Sequence, residues 1–135
     1  MNLNTSENIQ ELQKNEVFVF GSNEIGFHGG GAARQALMKF GAVLNEPIGL
    51  FGQSYAIPTK DHTITSLPLE AIKEYVEVFI EEAKEHPDLL FLVTEIGCGL
   101  AGYKPIDIAP FFKNVIEAPN IALPLTFKKI LDENN

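Results

Sequence analysis

Two short apolar runs, each spilling into a glycine-rich loop, constrain this chain more than any other feature. Val17-Phe18-Val19-Phe20 leads into Gly21-Ser22 and, a few residues on, Gly29-Gly30-Gly31. Residues 89–94 lead into Gly97-Cys98-Gly99-Leu100-Ala101-Gly102-Tyr103. Runs this short, apolar throughout rather than alternating with polar residues, predict strands buried on both faces, the habit of parallel sheets. After the first loop, Ala33, Ala36, Leu37 and Phe40 recur at helical spacing, so a helix is expected over about residues 32–40, with Gly41 as its stop.

The rest of the chain repeats this alternation. Residues 54–57 read as a second short strand closed by Pro58. Pro68 suits the first turn of a long helix reaching about residue 84, whose core stripe is Leu69, Ile72, Val76, Phe79, Ile80 and Ala83. Pro105 opens a third helix with Ile108, Phe112, Val115 and Ile116 on its buried face, residues 121–123 form a last strand, and residues 127–131 cap the structure. Residues 42–53 are turn-rich and receive no assignment. Residues 1–15 are expected to be a flexible arm or a short helix near residues 9–13, and 16–135 a single α/β domain. Strands joined through helices imply a mixed, mostly parallel sheet with helices on both faces, and such sheets bind ligands at the carboxyl ends of their strands.

Charge narrows the partners. The formal net charge of -8 repels the backbone of polymeric nucleic acid, and the 10 basic residues form no stripe. A small anion is a different matter, because backbone N–H groups at a helix start hold it without side-chain charge. One cysteine, Cys98, excludes a disulfide framework and a Cys-rich zinc site and favours a reducing compartment. His62 and His86 lack spaced partners, so neither a metal nor a cofactor is expected. The polar start of the chain carries no leader or membrane-spanning run, so the cytoplasm is the expected location.

Three consecutive glycines lose much conformational freedom on folding and need a reason. Close approach of the backbone to a phosphate is one; a tight turn packed on a neighbour is the other. No Gly-Lys-Ser/Thr follows, so the loop is not a P-loop, nor is it a clean dinucleotide fingerprint. Two such loops at one sheet edge would form opposite walls of a cleft.

Asn23 with His28-Gly29-Gly30-Gly31-Ala32 resembles the asparagine and glycine-run signature of macro domains. Thr94-Glu95-Ile96-Gly97-Cys98-Gly99-Leu100 is similar to the second glycine-rich loop of the subgroup that removes terminal ADP-ribose from proteins. Ile57-Pro58-Thr59-Lys60 falls where that subgroup carries a strand-end Thr-Lys. The resemblance implies a three-layer α/β/α fold that binds ADP-ribose or a relative. The two loops would clasp the diphosphate and distal ribose, with Asn23 near that ribose and Tyr103 packed against it. Lys60 matches the subgroup's nucleophilic lysine, but the aspartate that follows its second loop is Ala101 here. Ala32 and Ala33 stand where another hydrolase type has an acidic residue.

The residues themselves nominate Lys60, His28 and Glu95 for chemistry, each with a plainer alternative: a lysine nucleophile or a solvated strand-end lysine, a loop histidine as acid or base or one with only structural hydrogen bonds, and a carboxylate beside a ribose or substrate amine or one satisfied at the sheet edge. Ser22, Asn23, Gly29, Gly30, Gly31, Ala32, Gly97, Cys98, Gly99, Leu100, Ala101, Gly102 and Tyr103 are the candidate binding residues. Asp61 is a candidate base or ribose contact, or simply a surface acid. Three readings follow: a binder of ADP-ribose or a related NAD-derived nucleotide, able or unable to hydrolyse ADP-ribosyl bonds; a structural or interaction domain whose glycines only make turns; and a hydrolase of another small phosphorylated metabolite. In the first, the partner is a free nucleotide or an ADP-ribosylated substrate.

Overall fold

A computed structural model describes residues 3–133, the Ile116 side chain excepted, so that position of the expected third helical face lies outside the described residues. The run Glu16–Asn23 builds the central strand, because its alternating side chains find apolar cover on both sides. Val17 and Val19 enter one core, Phe18 and Phe20 the other. In chain order the elements are β1 (Asn4–Thr5), β2 (Glu16–Asn23), α1 (Gly31–Lys39), β3 (Gly49–Phe51), β4 (Ser54–Lys60), α2 (Leu69–Lys84), β5 (Leu90–Val93), α3 (Pro105–Ile108), a 3₁₀ helix (Ala109–Glu117), β6 (Ile121–Pro124) and α4 (Leu125–Glu133). The strands form one sheet of order β1-β6-β5-β2-β4-β3, parallel except for the β3–β4 pair.

Helices cover both faces. Ala33, Ala36 and Phe40 of the α1 region pack on Phe18, Phe20 and Ala56. On the other side Ile72, Val76, Phe79, Ile80 and Ala83 of α2 form the stripe expected from their spacing, joined by Ile108, Phe112, Val115 and Phe127. Full burial of a side chain such as Phe79 contributes about 1.5–3 kcal/mol, so this larger core carries most of the stability.

Three expectations need correction. Residues 1–15 hold no helix among the described ones: Asn4–Thr5 pair with β6 as an edge strand, and Ile9 and Leu12 pack beside α1, where Gln35 Nε2 donates to the Ile9 carbonyl at 2.5 Å. The unassigned stretch contains β3. And β4 does not stop at Pro58 but runs on to Lys60; β3 pairs no further than Ala56, so Pro58 sits where β4 has become an edge strand and the missing N–H is tolerated.

The topology positions a crevice. From β2 the chain moves outward to β3 and β4; from β5 it moves outward the other way to β6. The two glycine-rich loops therefore leave neighbouring parallel strands in opposite directions, which opens a gap between them at the carboxyl edge.

Candidate functional site

The gap is a cleft of about 550 Å³. Its walls are Gly21, Ser22, Asn23, Phe27, Gly29, Gly30, Gly31, Ala32 and Ala33 on one side and Thr94, Glu95, Ile96, Gly97, Gly99, Leu100 and Ala101 on the other, with Thr59, Lys60 and Ile64 at the end of β4. Lys60 is the one cation among these residues and Glu95 the one carboxylate. The sheet register slips between Ser22 and Asn23, leaving Thr59 as an extra residue on β4 just before Lys60.

The start of α1 faces this cleft without a side-chain cap. Gly30 occupies the N-cap, the first turn holds no acid, and the first intrahelical bond runs from Arg34 N to Gly30 O at 3.2 Å. Among the described residues, the amides of Gly31, Ala32 and Ala33 are thus unspent donors at the positive end of the helix dipole. Across the gap, the amides of Gly99, Leu100 and Ala101 also make no backbone hydrogen bond among the described residues.

The glycines have different causes. A Cβ on Gly29 would come 2.4 Å from the ring of Phe27, an exposed side chain that would have to swing aside to admit it. Gly97 has φ +75° and its Cβ would come 3.1 Å from Ile108, so backbone and packing both account for it. Gly30 and Gly99 have neither cause. Gly30 is extended at φ -154° with only Leu100 at 3.5 Å, and Gly99 has nothing within 4 Å.

Several nominated residues are occupied elsewhere. Asn23 lines the cleft, but its amide is spent on its own loop: Nδ2 donates to Phe27 O at 2.7 Å and Oδ1 accepts from Phe27 N at 2.9 Å. Ser22 Oγ donates to Pro47 O at 2.6 Å. His28 does not line the cleft; it is 1% exposed, edge-on to Phe20, with Nε2 at 3.0 Å from Val43 O and Nδ1 without a partner among the described residues. Gly102 also lies outside. Tyr103, expected against a ribose, turns away to donate its hydroxyl to Leu67 O at 2.6 Å. Cys98 lies behind the loop, where burial, then the Glu95 and Asp107 charges, push its thiol up to about 11, the opposite of an activated thiolate. Asp61 closes its own turn, its Oδ1 accepting from Thr63 N, Thr63 Oγ1 and Thr65 N, and those bonds hold its carboxyl below the usual range.

Phe27 and Ile64, absent from the candidate binding residues, line the cleft beside Leu100. Phe27, Leu100 and Ile64 form an exposed apolar rim, brought together from three loops. Thr59 and Thr94 enter because strand ends meet there.

A second cavity, of about 420 Å³, adjoins the cleft and shares Ala32, Thr94 and Glu95 with it. Its walls include the apolar Ile9, Phe18, Val93 and Leu125, together with Thr5, Gln35 and Thr126. The Thr5 hydroxyl is buried and has no hydrogen-bond partner among the described residues.

No group of three or more His, Cys, Asp or Glu is arranged to hold a metal ion, and no helix is long and apolar enough to cross a membrane, among the described residues. Comparison with protein-family models, curated proteins and solved structures finds nothing that matches this chain.

Proposed function

We propose that this chain binds ADP-ribose or a related NAD-derived phosphorylated nucleotide in the cleft between its glycine-rich loops. The phosphates are held by the amides at the start of α1, the amides of residues 99–101, and Lys60. The adjoining cavity, lined by the apolar Ile9, Phe18, Val93 and Leu125 and by polar side chains such as Asn8 and Gln35, takes the base. One observation carries the reading: Gly30 and Gly99 are glycine for no reason internal to the fold, and both face the cleft. Its positive φ and the Ile108 contact account for Gly97, but a turn-only role leaves Gly30 and Gly99 without a cause.

On this reading the chain is a relative of the macro domains and acts first as a binding domain. Turnover of an ADP-ribosyl bond has only Lys60 and Glu95 to draw on, because His28 is buried away from the cleft and Ala101 supplies no acid. Calorimetric titration with ADP-ribose, with AMP as control, tests the proposal. Saturable heat is expected from the native chain and none from a folded Gly99→Glu variant, whose side chain would occupy the phosphate position. Equal binding by both proteins, or none by the native one, removes it. Release of free ADP-ribose from a modified protein, lost in Lys60→Ala, would add hydrolysis to binding.

A further inference from the structure

Glu95 stands at the seam of the two cavities. Of the three residues that line both, Ala32 is apolar and the Thr94 hydroxyl is spent on Val19 O at 2.7 Å. Thr126, at the start of α4, donates its hydroxyl to Glu95 Oε2 at 2.5 Å. That bond fixes the carboxylate over the seam and leaves Oε1 with no donor among the described residues. Lys60 lines the cleft but not the second cavity, whose wall has no lysine or arginine and holds one further carboxylate, Glu7, which is not among the residues shared with the cleft.

A nucleotide with its phosphates among the glycines and its base in the second cavity must pass its connecting ribose across this seam. Free ribose hydroxyls are donors, and a carboxylate accepts from them. A phosphate ester at the 2′ position removes one donor and brings about -1.5 to -2 of charge against the carboxylate, with no cation there to offset it.

We propose that Glu95 sets the class of nucleotide, accepting those with an unmodified ribose next to the base and rejecting their 2′-phosphorylated counterparts; the inference rests on the reading above. Thr126 is a positioning residue for it. The test is paired titration with ADP-ribose and 2′-phospho-ADP-ribose, on the native chain, Glu95→Gln and Thr126→Val. Glu95 is exposed, so Glu95→Gln should fold, which a thermal melt checks. The native chain is expected to prefer ADP-ribose by roughly tenfold or more. Glu95→Gln should bring the ratio close to one, chiefly by improving binding of the 2′-phosphate, and Thr126→Val should give an intermediate ratio. If the native chain binds both alike, or Glu95→Gln keeps the preference, the inference is wrong and the binding site stands. If the native chain binds neither, the binding reading fails and takes the inference with it.

Discussion

The Tyr75 hydroxyl donates to Glu24 Oε2 at 2.6 Å, so the middle of α2 holds the root of the first glycine-rich loop. That bond first, then burial and the Glu24 and Glu74 charges, pushes the Tyr75 hydroxyl from 10.0 up to about 12. A tyrosine that holds its proton more tightly when folded stabilises the fold fully below pH 10, and the contribution is lost as pH rises to about 12. Tyr55 is shifted the same way, by burial first, and steepens the alkaline loss in every variant that retains it. Tyr75→Phe should therefore cost about 1 kcal/mol at neutral pH and flatten the stability profile across that window. Urea unfolding at stepped pH measures both; a profile identical to that of the native chain would contradict the assignment.

The two loop glycines Gly97 and Gly99 should separate fold from site. At Gly97 an alanine meets a positive φ and the Ile108 side chain, and about 1–3 kcal/mol of stability should be lost. At Gly99 a methyl group meets nothing, so stability should stay within about 0.5 kcal/mol while ADP-ribose affinity falls. A Gly99→Ala protein that unfolds early would return this glycine to a structural role.

Asn23 should behave as a clamp on its own loop. Asn23→Asp replaces the Nδ2 donor with an oxygen facing the Phe27 carbonyl, and should cost about 1–3 kcal/mol. Chemical denaturation gives the number. A neutral effect on stability with lost binding would instead make Asn23 a ligand contact.

Of the two readings of His28, acid or base at the loop mouth and structural histidine, the fold matches the second. His28→Ala removes a buried ring edge-on to Phe20 and its bond to Val43 O, a loss of about 2–4 kcal/mol by comparison with other large-to-alanine core changes. Lys60→Ala, at the rim of the cleft, should leave the melting temperature almost unchanged while weakening phosphate binding. The opposite pattern would exchange their roles.

Periodicity made much of this fold legible. The stripe of α2 follows from the spacing of its apolar residues over about four turns, and the double-faced burial of β2 and β5 from short runs that are apolar throughout. β1 and β3 were not legible: Asn4–Thr5 and Gly49–Phe51 are too short to show a period and become strands only because β6 and β4 offer them edges. Pro58 misled for the same reason, since its tolerance depends on where a neighbouring strand ends. At the site, the glycines announced the cleft, and Lys60 and Glu95 were found by their places at strand ends. The orientations of Tyr103 and His28 were not legible, because each is set by a distant carbonyl, Leu67 O and Val43 O, that local sequence cannot point to.

The central claim is that unspent backbone amides on two loops hold a nucleotide's phosphates, and amide-resolved NMR titration with ADP-ribose tests it most directly. The account predicts saturable shifts concentrated at residues 30–33 and 99–101, with the Lys60 amide following them. Saturable shifts confined to other parts of the chain, or no shifts at all, would contradict it.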